Sequence, residues 1–196
     1  MVHASSSEVQ CCVMTDRGRR QQLLDAAIDH VAEHGLTDLS LRRLAGELGT
    51  SHRMLSHHFG SKEGLWVAIV REVELRQIAA MGTVLDPSLP FDEAMRVWWR
   101  HISDPSMWPS ERLFFEVYSH GLHGTGPTSE FLDGIVETWL GPATEQIMAS
   151  GVPHAQARAS ARLGLAVTRG LLLDLVATED RAGVDAAMER WIELNR

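Results

Sequence analysis

Residues 49–65 read GTSHRMLSHHFGSKEGL, with three histidines, one arginine and the only lysine of the chain. The stretch is too polar for a core and too ordered in pattern for a linker. Its spacing with the residues before it is informative. Ala45 is followed four residues later by Gly49, and Leu55 lies six beyond that. Leu41, Leu44 and Leu48 fill one face of the helix that precedes the turn. A small residue lets two short helices cross closely, and a glycine takes the left-handed conformation of the turn. An apolar residue on the second helix then locks into the first, which makes a helix-turn-helix. The second helix follows Ser51, a good N-cap, and is left with a polar outer face of His52, Arg53, Ser56 and His57. A helix held on one side and polar on the other fits a DNA major groove. On spacing alone, a helical hairpin with a solvated face remains open.

Working outward, residues 19–34 predict a helix. Leu23, Leu24, Ala27, Ile28 and Val31 recur at helical steps, and Gly35 should stop it. Ser40 caps a short helix over 41–48. Ser61 precedes a fourth helix reaching about Met81. Residues 1–16 show no periodicity and are expected to be a disordered tail, in which Met14 is a second candidate start.

The run RRQQLLDAAIDHVAEHGLTDLSLRRLAGELGTSHRMLSHHFGSKEGL resembles the N-terminal domain of the tetracycline-repressor (TetR) family. The matching pieces are LLDAA, HGL before Ser40, LAGELGTS over the turn, and HHFGSKEGL leading into the fourth helix. The resemblance covers about residues 19–70. It implies a phosphate contact at Ser40 flanked by Arg42 and Arg43. It implies groove contacts from His52, Arg53 and Met54, DNA contact from Ser51 and His57 beside them, and a phosphate-binding role for Lys62. It also implies an arm of Arg19, with Arg17 and Arg20, along the DNA backbone or minor groove. Two residues depart from the family pattern: Ser56 stands where a tyrosine usually meets a phosphate, and Thr50 where an apolar residue is usual.

The rest of the chain predicts helices at 91–103, 110–122, 128–150, 153–178 and 181–194, with Pro142 kinking or splitting the third of these. No alternating β-branched run suggests a strand, so the expected fold is all-α. A helix-turn-helix domain over 17–62 precedes a helical ligand-binding and dimerisation domain over 63–196. Aromatic and thioether residues are concentrated between 91 and 150. Met95, Trp98, Trp99, Trp108, Phe114, Phe115, Tyr118, Phe131 and Trp139 are expected to line a pocket for a hydrophobic, ring-containing effector. Glu116, His120 and Arg112 are the polar groups among them. The segment 157–178 is apolar on nearly all sides and should be buried all round. The resemblance implies that it makes a four-helix dimer interface with the last helix, through Leu165, Thr168, Leu172, Val176, Met188 and Trp191.

The net charge is −8, but it is unevenly spread. Residues 1–65 hold seven Lys/Arg against eight Asp/Glu, and residues 66–196 hold eleven against eighteen. The acid thus lies away from the DNA-binding segment. No run reaches the ~18–20 apolar residues of a membrane span, and no secretion signal precedes the helices, so a cytoplasmic protein is expected. Cys11 and Cys12 form no disulfide framework, and His30 and His34 lack a third metal ligand nearby. No phosphate loop, nucleophile elbow or paired-acid motif points to catalysis, and no cofactor is expected. The function expected is a homodimeric repressor, released from a palindromic operator by a hydrophobic small molecule. The alternative is a helical ligand-binding or interaction protein that has lost DNA binding.

Overall fold

Apolar residues at three- and four-residue steps wind nearly the whole chain into helices. The computed structural model describes residues 6–34, 40–84, 89–124 and 126–195, and among them are nine α-helices and no strand. They are α1 (Ser6–His34), α2 (Leu41–Glu47), α3 (His52–Phe59), α4 (Lys62–Val84), α5 (Phe91–Ile102), α6 (Trp108–His123), α7 (Pro127–Ala149), α8 (His154–Thr178) and α9 (Arg181–Leu194). A 3-10 turn, Pro105–Met107, leads into α6. The expected stop at Gly35 lies outside the described residues.

Two boundaries differ from the sequence pattern. α1 begins at Ser6, so much of the tail continues the helix rather than being disordered. No proline interrupts that stretch, and each residue added to an existing helix gains a backbone hydrogen bond. In α7 the break falls not at Pro142, which stays helical, but at Asp133 and Gly134. Gly134 takes φ 83°, which a glycine adopts without steric cost. Farther on, Glu179 at φ 58° ends α8, and the Asp180 side chain accepts from the Gly183 amide to start α9.

The core has two parts. The first joins Leu23, Ala27 and Val31 of α1 to Leu44 and Ala45 of α2 and to Leu55 and Phe59 of α3. Leu65, Ile69 and Val70 of α4 continue it to Leu113, Phe114 and Val117 of α6 and Phe131 of α7. The second gathers Trp98, Trp99 and Ile102 of α5, Leu172 and Leu175 of α8, and Val184, Met188 and Ile192 of α9. Phe115 packs against both. The apolar core therefore runs unbroken from the three N-terminal helices into the larger helical part, with α4 as the shared wall.

Candidate functional site

The turn between α2 and α3 is held by backbone bonds. The Thr50 amide donates to Ala45 O at 2.8 Å and the Leu48 amide to Leu44 O at 2.9 Å, while Gly49 adopts φ 61°. Leu55 is fully buried beneath α2. This fixes α3 by its inner face and leaves His52, Arg53 and His57 exposed, with Met54 and Ser56 half-buried.

Serines cap the successive helix starts. Ser40 Oγ accepts from the Arg43 amide, Ser51 Oγ from the Met54 amide, and Ser61 Oγ from the Gly64 amide. Each hydroxyl accepts in these bonds and keeps its proton to donate. Arg42 and Arg53 are exposed and have no ion-pair partner among the described residues. Arg19 is exposed and, among the described residues, reaches Gln22 at 3.5 Å. Lys62 opens α4 with its ammonium 4.3 Å from the centroid of the Trp66 ring. Arg20 covers the Phe59 ring at 5.0 Å.

Arg43 is less free than the sequence suggests. Its Nε donates to Glu47 Oε1 at 3.2 Å, and the other Glu47 oxygen meets His30 Nε2 at 3.1 Å. Glu47 was not singled out from sequence, although its four-residue spacing from Arg43 is that of a helical ion pair.

A second polar cluster lies inside the larger part. Glu74 of α4 and Glu111 of α6 are both buried. Arg169 of α8 reaches Glu74 Oε2 at 3.5 Å and sits 4.9 Å over the Phe114 ring. The Trp139 indole donates to Glu74 Oε2 at 2.5 Å. Burial pushes Glu111 up to about 8, reinforced by the nearby Glu74 charge and opposed by Arg169. Burial also raises Glu74, against the pull of Trp139 and Arg169. On the same face of α4, Gln77 Oε1 lies 3.0 Å from His101 Nε2. Sequence reasoning missed these groups. Their signal was the stripe Val70, Glu74, Gln77 and Met81, in which two polar residues occupy core-facing steps.

The aromatic residues do not gather around one open space. Phe114, Phe115, Tyr118 and Phe131 contact one another in the first core. Met95, Trp98, Trp99, Trp108 and Trp139 belong to the second. A cavity of about 340 Å³ lies between α1, α4 and α7, lined by Arg20, Phe59, Val67 and Arg71 among others. Another of about 250 Å³ is lined by Glu74, Phe131, Ile135 and Thr138, with Arg71, Leu75 and Asp133. Of the nine residues expected in an effector pocket, only Phe131 lines either of these. Arg112 is exposed and pairs with Glu179, His120 is exposed, and Glu116 is half-buried.

The expected interface residues are also redistributed. Thr168, Leu172 and Met188 are buried within the protomer, and Leu165, Val176 and Trp191 are half-buried. The expected face made of Thr168, Leu172 and Met188 thus lies inside the protomer: this apolar stripe of α8 fills the chain's own core, and the face left for a second copy is the other one. The outward stripe is Ala159, Leu163, Ala166, Gly170, Leu173 and Ala177. In it Leu163 is 53% and Leu173 48% exposed.

Comparison with known proteins bears on this arrangement. Residues 23–69 match the family model described as bacterial regulatory proteins, tetR family. The HTH-type transcriptional repressor AcnR of Corynebacterium diphtheriae is 43% identical over 54 residues, 28% of each chain. The match therefore spans little more than a quarter of that relative's length. The HTH-type transcriptional regulator BetI 2 of Chromohalobacter salexigens is 27% identical over 89% of this chain and 84% of its own. A solved TetR-family transcriptional regulator from Pectobacterium atrosepticum superposes with TM-score 0.71 at 21% identity, covering 97% of this chain and 95% of that one. That likeness is one of fold.

Proposed function

The chain belongs to the TetR family of bacterial transcriptional regulators, and on that premise we propose that it is a homodimeric repressor whose hold on operator DNA is loosened by a hydrophobic small molecule. One observation carries the DNA reading. α3 is fixed on its inner face by Leu55, while Arg53 and His52 stand outward and unpaired among the described residues. Arg53 and His52, with Met54, Ser51 and His57, are proposed to read the groove. Ser40, Arg42, Arg43, Lys62 and Arg19 are proposed to meet phosphates, with Ser56 a shorter substitute for a tyrosine at that position. A mobility-shift assay with DNA from upstream of the protein's own gene tests this. A saturable, sequence-dependent shift supports it. A helical ligand-binding protein without DNA function would give none.

Dimerisation is proposed through the outward stripe of α8 and the exposed face of α9, where Ala187, Arg190 and Leu194 follow one another. An exposed apolar stripe at helical steps is stabilised when a second copy covers it. Two recognition helices would then meet half-sites about one DNA turn, ~34 Å, apart or a multiple of it. The site of action is the cytoplasm. Among the described residues, no helix is long and apolar enough to cross a membrane.

The effector is proposed to seat beside Glu74, between α4 and α7, with its apolar body toward Phe131 and Ile135. α4 starts at Lys62 by the DNA face and carries Glu74 and Gln77 farther along. A molecule that fits better when α4 is shifted moves the recognition helices out of register. It does so only to the extent that it binds the two states unequally. A tenfold loss of DNA affinity needs about 1.4 kcal/mol of such coupling. A tryptophan-fluorescence screen of apolar compounds tests it. Hits should quench, raise the melting temperature and dissociate the DNA complex. Tight binding that leaves DNA affinity unchanged would sink the coupling.

A further inference from the structure

The last turn of α3 carries two adjacent histidines, His57 and His58, and Asp16 of α1 stands against them. One ligand atom from each of the three lies within 4.8 Å of the others. His58 is the unusual member. Its side chain is 2% exposed, and its Nε2 has no hydrogen-bond partner among the described residues. Its Nδ1 stands 3.7 Å from Asp16 Oδ1, beyond hydrogen-bond reach. The His57 and His58 rings meet edge-on, 5.1 Å between centroids. A buried imidazole left with an orphaned nitrogen costs free energy. Asp16 faces the other ring nitrogen, Nδ1, and at this separation gives it no direct hydrogen bond.

The spacing suits an ion between the groups. Donors bound to a tetrahedral zinc at ~2.0–2.1 Å stand about 3.4 Å from one another. The Asp16–His58 gap of 3.7 Å is close to that, and the three ligand atoms all lie within 4.8 Å of one another. We propose that Asp16, His57 and His58 form a binding site for a divalent transition metal of the zinc class. Two imidazoles and one carboxylate suit zinc, nickel or cobalt better than magnesium or calcium, which take oxygen-rich shells. Three protein ligands leave one position of a tetrahedral ion open, and exposed Asp16 and His57 give solvent access to it. The ion would clip α1 to the C-terminal end of the recognition helix. Because the pieces come together only in the folded chain, metal would stabilise the fold by mass action. The site is separate from the cluster around Glu74 and does not depend on the effector reading.

The test is calorimetric titration of the untagged full chain with Zn²⁺, repeated on Asp16→Asn, His57→Gln and, as a control away from the site, His154→Gln. Cys11 and Cys12 are common to all four chains, so any thiol binding cancels in the comparison. The expected result is one ion per protomer for the unchanged chain and the control. At least tenfold weaker binding is expected in both Asp16→Asn and His57→Gln. Co²⁺ should give the visible absorption of a tetrahedral site in the unchanged chain, and both substitutions should abolish it. Absence of stoichiometric Zn²⁺ binding, or a loss smaller than tenfold in either variant, overturns the proposal.

Discussion

The Lys62 ammonium lies 4.3 Å from the centroid of the Trp66 indole, across the first turn of α4. Trp66 is itself buried in the core shared by α1–α4, α6 and α7. The one lysine of the chain is thus steadied by a ring that belongs to the interior. A cation–π contact of this kind is worth about 0.5–1 kcal/mol at an exposed site. It leaves the ammonium its three donors for a phosphate oxygen.

Lys62 and Arg53 should therefore fail differently. Lys62→Ala should weaken binding to operator and random DNA alike and lower the salt slope by about one counterion. Arg53→Ala should cost ~1–3 kcal/mol on the operator and far less on random DNA. Fluorescence anisotropy at several salt concentrations measures both. Equal losses for the two variants on both DNAs would refute the assigned roles.

The dimer interface is predicted to follow the outward stripe of α8. Leu163→Glu and Leu173→Glu should give folded monomers, because both side chains are exposed in the protomer. Leu172→Glu should instead unfold the chain, since Leu172 is 5% exposed in the second core and an unpaired buried charge costs several kcal/mol. Sedimentation and circular dichroism separate the outcomes. Stable dimers of Leu173→Glu would show that the stripe is elsewhere.

Glu111 should make stability fall as pH rises. In the unfolded chain a glutamate titrates near 4.3, whereas folding raises Glu111 to about 8. Between those values the folded state keeps a proton that the unfolded state has released, so stability decreases with pH. The slope is at most about 1.4 kcal/mol per pH unit, and it levels off above pH ~8. Glu111→Gln removes this titration. Urea denaturation at pH 5, 6, 7 and 8 should show the unchanged chain losing stability relative to the variant across that range. Parallel curves would contradict the assignment.

Gly134 and Pro142 should respond in opposite directions. Gly134→Ala places a side chain at φ 83° and should cost ~1–2 kcal/mol through backbone strain alone, because a Cβ there meets open space. Pro142 sits in helical backbone, so Pro142→Ala should raise the melting temperature. Calorimetric melting of both variants decides it.

What the sequence revealed follows from which signals are local. The helix-turn-helix was legible because Leu41, Leu44, Leu48, Ala45, Gly49 and Leu55 each do one thing at one spacing. The inward face of α8 was not. Leucines and alanines surround that helix, so periodicity could not distinguish the Leu172 side from the Leu173 side; the packing of α6, α7 and α9 against it decides. The α7 break was ambiguous for a related reason. Gly134 and Pro142 are both helix breakers, and tertiary contacts select the one that yields. The aromatic residues were read as one group because they are near in sequence. Reversals of the chain between α5, α6 and α7 divide them between two cores. Glu111 was hidden because a buried carboxylate is identical in sequence to an exposed one, and Glu74 showed only as a polar step in the apolar stripe of α4. Only the approach of Arg169 and Trp139 from other helices distinguishes them.

The most direct test of the account is selection of bound sequences from a pool of random double-stranded DNA by the purified full chain. The account predicts enrichment of one palindrome, with half-sites about one helical turn apart or a multiple of it. Its binding should be lost in Leu173→Glu and lose its sequence preference in Arg53→Ala. A pool that stays random after repeated rounds, or that yields only weak, salt-sensitive binding without a common sequence, would contradict it.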